Sequence, residues 1–219
     1  MESEDGSQAT RSEREVKYIL QYFPLRCRAE PARLILHAAG VPFQDQRVPL
    51  EEWPELKRKM PMGQLPVLEV VGSGAQLCQG TAIARFLANE VGLAGRDKVA
   101  RAKADMLVDG VYSLWPPLRP VYLAKFNKQP EKEKEAWAKF KKELLEPFLK
   151  QYAGFVADSP SGFLLTWADL VLAEFLDNMD TCFDPTALNS SPTLRLYVAK
   201  IFDSPGVKEH VKSRPLDMF

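Results

Sequence analysis

The chain has 219 residues, 46% hydrophobic and 26% charged, a globular composition that excludes a disordered or collagen-like protein. Its 29 basic and 29 acidic residues cancel, so no net field draws it to nucleic acid or an anionic membrane, and no run approaches the roughly 18 apolar residues of a membrane helix. The three cysteines Cys27, Cys78 and Cys182 are too few and too scattered for a disulfide framework or a metal site, so a soluble cytoplasmic protein without metal is expected.

Residues 1–15 are polar and acidic, without hydrophobic periodicity or a signal-peptide segment, and read as a solvated tail. From Val16 the pattern alternates: Val16, Tyr18, Leu20 and Tyr22 face one way and Lys17, Ile19 and Gln21 the other, a strand that Pro24 stops. The next apolar block has Pro31 in a first helical turn and Gly40 past its end, the usual placement of both at a helix. A short second strand spans 43–48. Two more strands, 66–71 and 75–79, flank Gly72-Ser73-Gly74, a hairpin signal. Residues 81–91 place Ile83, Phe86 and Leu87 on one helical face, and Gly92 follows. Strands joined by a helix pair in parallel with a right-handed crossover, and a hairpin adds an antiparallel edge. The order β-α-β-β-β-α therefore predicts a thioredoxin-like α/β domain over 16–93. A linker over 94–98 leads to an all-helical domain over 99–219. Its helical blocks are 100–115, 131–157, 166–179 and 192–202, with Pro116, Pro117 and Pro120 interrupting the first and Pro147 kinking the second.

Three local features carry chemistry. Tyr22 stands where the first strand meets a loop, and its phenol is either a donor to an anion such as a thiolate or a half-buried strand aromatic. Pro66 begins a strand, where a missing N–H is tolerated. A cis bond there would present the Leu65 amide and carbonyl to an extended peptide, and a trans bond would simply start the strand. Gln79 and Gly80 lie at a strand–helix junction, whose free amides and positive dipole suit a carboxylate.

Together these residues point to a family. YFPLRCRAEPARLIL resembles the tyrosine strand, loop and first helix of cytosolic glutathione transferases, the sigma class above all. EEWPELK, MGQLPVLE, QGTAIARFLA and TWADL follow in the family's order and spacing, so the likeness spans Lys17 to Leu216. It implies glutathione as co-substrate, held as a thiolate by Tyr22 with Arg28 as the nearby cation, while Arg26 makes a structural ion pair. Phe23 flanks Tyr22. Trp53 and Lys57 would meet the glycyl carboxylate, Gly63, Gln64, Leu65 and Pro66 the cysteinyl backbone, and Gln79 and Gly80 the γ-glutamyl carboxylate. Asp109 would reach the γ-glutamyl amine of a neighbouring subunit, which requires a homodimer. The second substrate would be a small hydrophobic electrophile, walled by Leu25, Tyr112, Trp115 and the terminal Met218 and Phe219.

The chain departs from the family pattern at several points. Gly80 replaces the usual serine, so Gly80→Ser is expected to tighten glutathione if the pocket keeps its usual shape. Cys27 replaces the glycine of the loop and reads as a small buried filler or a thiol for a mixed disulfide. The approach to Thr166 is shortened, although Thr166 and Asp169 keep a capping-box pattern. Val111, Tyr112 and Ser113 stand where relatives carry an acidic cluster, so no divalent-metal site is expected. The readings left open are a transferase, a glutathione-dependent prostaglandin isomerase, a non-catalytic or crystallin-like glutathione or hydrophobe binder, and a disulfide oxidoreductase using Cys27. Retention of Tyr22 and Arg28 favours an enzyme, and the missing Cys-x-x-Cys disfavours the last.

Overall fold

The computed structural model describes residues 15–159 and 166–214. Strands β1 (Tyr18–Tyr22), β2 (Phe43–Arg47), β3 (Val67–Val70) and β4 (Ala75–Cys78) form one sheet in the order β2-β1-β3-β4. Helix α1 (Glu30–Ala38) joins β1 to β2, which run parallel with Tyr18 opposite Phe43 and Tyr22 opposite Arg47. β3 is antiparallel to β1, and β4 closes the hairpin with Val67 opposite Cys78. The hairpin turn depends on glycine, since Gly72 and Gly74 have φ of 91° and 68°, values that a side chain disfavours. After a short helix α2 (Trp53–Leu56), helix α3 (Gly80–Glu90) packs beside α1 against the sheet. The core between them is Leu20, Leu34, Ile35, Leu68, Ile83 and Leu87, all fully buried. This is the thioredoxin-like arrangement that the alternation and the hairpin signal predict.

The rest of the chain is helical: α4 (Lys98–Tyr112), α5 (Trp115–Phe126), α6 (Pro130–Phe140), α7 (Glu146–Ala157), α8 (Trp167–Asn178), α9 (Pro192–Phe202) and α10 (Val207–Ser213). Two expectations change here. Pro116 and Pro117 open α5 rather than break a helix, because the first-turn N–H groups have no intrahelical partner to lose, and Pro120, also expected to interrupt, stands inside α5. The predicted 131–157 block is two helices joined by a π turn, Lys141–Leu145. That wider turn lies immediately before Pro147, whose missing N–H and ring would collide with a regular α ladder. A second π turn, Met179–Phe183, ends α8. α8 is the central helix of this half, with buried residues all round, Trp167 fully so. It touches α1 as well as α3, α4 and α9, so both halves share one hydrophobic core. Among the described residues no helix is long and apolar enough to cross a membrane.

Candidate active site

Tyr22 ends β1 with its ring buried, 5% exposed. Its neighbours are aromatic: Phe23 lies 5.5 Å away and in turn meets Trp53 edge-on at 5.4 Å. The Arg33 guanidinium stands 5.9 Å from the Tyr22 centroid. Burial pushes the Tyr22 phenol far above its ordinary value, so it is a proton donor across the neutral range. The Cys27 thiol and the Arg28 backbone are its polar neighbours: the thiol pushes the phenol further up, and the Arg28 N–H favours its ionised form. The exposed Arg28 adds positive charge that favours the ionised forms of Tyr22, Cys27 and Tyr112 alike. Burial raises the Cys27 thiol despite those partners, which keeps it neutral and weakly nucleophilic.

The residues assigned to the tripeptide collect along one edge. α2 holds Trp53, and Lys57 follows with its aliphatic chain against Gly63. The loop there bends through Met62 and Gly63, at φ of 55° and 57°. The Leu65–Pro66 bond is cis and precedes β3. The Gln79 amide donates to the Gln64 side-chain oxygen at 2.9 Å, which brings together residues from the β2–β3 connection and the β4–α3 junction. Gln79 has φ of 74° and delivers the chain to the N-terminus of α3, where Gly80 is the first residue.

Gly80 overturns an expectation. A Cβ on it would stand 2.6 Å from the Arg28 carbonyl oxygen and 3.4 Å from the Arg28 Cβ. The loop backbone fills the space a serine side chain needs, so the pocket is reshaped and Gly80→Ser introduces a clash instead of a useful hydroxyl.

Asp109 lies on α4 with its side chain 67% exposed, 3.6 Å from Arg85, which also binds Asp105 at 2.8 Å. Tyr112 and Trp115 are neighbours, 6.5 Å between centroids. With Cys27, Pro31 and Phe175 they line a pocket of about 10 Å³, the room of a single water. Burial raises the Tyr112 phenol to about 12, and its neighbour Thr81, beside Gly80, acts in the opposite direction. Leu25 is half-buried, its carbonyl held by Arg33 at 2.8 Å. Met218 and Phe219 lie outside the described residues.

Sequence reasoning assigned Arg26 an ion pair but not its partners. Arg26 binds Glu174 at 3.0 and 2.9 Å and also Asp177, both on α8. Arg214 meets Glu174 at 2.8 Å and Glu30 at 3.2 Å, and His210 meets Glu30 at 2.7 Å. Arg33, fully buried, joins Glu30 at 3.0 Å and Asp45 at 3.1 Å. This buried network fastens the loop between Tyr22 and α1 to the helical half. Its signal was a glutamate on an apolar face, since Glu174 continues the i, i+3, i+4, i+7 series Trp167, Leu170, Val171. Among the described residues no group of three His, Cys, Asp or Glu could hold a metal ion.

Comparison with known proteins gives the family and the fold. The family models for the glutathione S-transferase N-terminal and C-terminal domains match residues 19–89 and 118–214. Glutathione S-transferase 1 of Ascaris suum is 37% identical over 209 residues, 91% of this chain and 97% of that protein. A glutathione S-transferase of the hookworm Necator americanus, described as monomeric, superposes with a TM-score of 0.78 at 33% identity, covering 91% of this chain and 98% of that one. Prostaglandin synthase D of Nilaparvata lugens superposes with a TM-score of 0.78 at 28% identity, covering 91% and 99%.

Proposed function

The chain belongs to the glutathione S-transferase family, and on that premise we propose that it conjugates glutathione to small hydrophobic electrophiles in the cytoplasm, using a thiolate held by Tyr22. The observation that carries this reading is a buried phenol at the end of β1, kept protonated by its burial, with a sulfur, that of Cys27, and the charge of Arg28 as its neighbours. A free thiol with a pKa near 8.5 is mostly protonated at neutral pH. One such donor and one cation favour the anion, and a shift of two units corresponds to roughly 2.7 kcal/mol. The thiol proton leaves to solvent, the sulfur bonds the electrophilic carbon, and the leaving group departs with its electron pair.

Along the edge described above, Trp53 and Lys57 donate to the glycyl carboxylate. The backbone of Gly63 to Pro66 pairs with the cysteinyl unit. Gln79 and the Gly80 N–H hold the γ-glutamyl carboxylate at a helix N-terminus. Asp109 completes the site from the second subunit of a homodimer. The resemblance to the sigma class and the likeness to an insect prostaglandin synthase support a second reading, glutathione-dependent prostaglandin isomerisation, which uses the same thiolate. A conjugation assay with glutathione and an aryl halide, comparing the native protein with Tyr22→Phe, tests the first reading. No turnover by the native protein would refute it.

A further inference from the structure

The loop between β1 and α1 is fastened at two neighbouring points. Cys27 has φ of 40°, a left-handed conformation disfavoured for a residue with a side chain. It lines the small pocket together with Pro31, Tyr112 and Trp115, and it neighbours the Tyr22 phenol. One residue later the Arg28 carbonyl presses on the first residue of α3, so closely that a Cβ at Gly80 would meet it at 2.6 Å. The two contacts are connected through a single residue of main chain. The pocket that Cys27 lines has only about 10 Å³ of free room, so packing there restrains the Cys27 Cα and, through it, the Arg28 carbonyl against Gly80.

We propose that Cys27 and Gly80 are a coupled pair, in which the Cys27 side chain sets the loop and the bare Cα of Gly80 receives the Arg28 carbonyl. Cys27 is thus a positioning residue that acts through Tyr22 and Arg28. This rests on the glutathione reading for its consequence in binding, but not for the coupling itself.

The test is a double-mutant cycle of native protein, Cys27→Gly, Gly80→Ser and the pair. Each is read by thermal melting, by calorimetric glutathione binding, and by the pH at which bound glutathione acquires thiolate absorbance. Gly80→Ser alone should lower Tm and weaken glutathione about tenfold, and raise the pH of thiolate formation. Glycine at 27 accepts the left-handed backbone and releases the anchor, so the carbonyl can retreat from a new side chain. In the Cys27→Gly background, therefore, Gly80→Ser should cost about threefold or less, with most of the Tm and pH effects removed. Equal penalties in the two backgrounds would overturn the proposal. If Gly80→Ser alone fails to fold, a folded double variant supports the coupling and an unfolded one overturns it. A native protein that binds no glutathione refutes the functional reading, while the melting cycle still decides the coupling.

Discussion

Tyr22 illustrates how burial makes a residue chemical. Removed from water at 5% exposure, its phenol has a pKa well above the usual tyrosine range, so the hydroxyl stays a donor wherever the protein works. Tyr22→Phe keeps the ring on Phe23 and removes only the hydroxyl. Turnover should fall about tenfold or more, a barrier rise of about 1.4 kcal/mol, while the melting temperature moves little. Unchanged turnover in the aryl-halide assay would remove Tyr22 from the chemistry. Arg28 is exposed and acts on the same atoms by charge alone. Arg28→Ala should shift the pH–rate profile for conjugation upward, because less positive charge then favours the anion; an identical profile would assign Arg28 no part in thiolate formation.

At the scale of elements, legibility depended on whether the determining residues were neighbours in sequence. The β1 alternation, the glycine hairpin and the cap at Thr166 are local signals, and each forms where the pattern places it. At the cap the Thr166 hydroxyl accepts from Ala168 N–H at 3.3 Å and Asp169 accepts from Thr166 N–H at 2.9 Å. The start of α5 was misread because a proline run looks like an interruption, although its cost vanishes in a first turn. A break in the ladder at Pro147 is legible from the proline alone, while its form, a π turn over Lys141–Leu145, is not, since it answers a backbone conflict that only the folded helix creates. The partners of Arg26 lie 148 and 151 positions away, so only the misplaced polarity of Glu174 hinted at them. The Gly80 pocket could not be read at all, for it depends on a carbonyl that the loop conformation puts there. Asp169 shows how much one local pattern can carry: besides the cap, it accepts the Tyr197 hydroxyl at 2.6 Å and so ties α8 to α9. Asp169→Ala loses both bonds, and denaturant unfolding should show a loss of about 2–4 kcal/mol. A loss under about 0.5 kcal/mol would mean that α8 is held by packing alone.

Over the whole molecule, one prediction concerns assembly and another the joining of the two halves. For the proposed homodimer, whose α4 carries exposed Met106 and Asp109, light scattering should give twice the 24.7 kDa chain mass; a mass of one chain at micromolar concentration would refute it. Between the two halves of one chain, the interface is the buried ionic network, with Glu30 at its centre. One Glu30 oxygen meets His210 at 2.7 Å and Arg214 at 3.2 Å, and the other meets Arg33 at 3.0 Å. Burial acts to raise the Glu30 carboxyl, but the His210 hydrogen bond and the Arg33, His210 and Arg214 charges hold it well below the usual carboxylate range. A carboxyl whose pKa is lower folded than unfolded binds fewer protons in the native state, so its stabilisation is complete above the unfolded value, near 4.3, and fades as pH falls through that range toward the folded value. Glu174, raised by its own burial, has the opposite sign, which makes Glu30 the source of the acid sensitivity in this pair. Glu30→Gln keeps the shape and removes the charge. At pH 7 it should destabilise the protein by about 1.5–3 kcal/mol, because Arg33 and Arg214 lose one buried anion while Arg33 keeps Asp45 and Arg214 keeps Glu174 and Asp177. The gap between variant and native should then narrow steadily below about pH 4, as the native carboxylate loses its advantage. Melting curves from pH 7 to pH 3 test this directly. A constant gap across that range would mean that the packing of Glu30, and not its charge, joins the two halves.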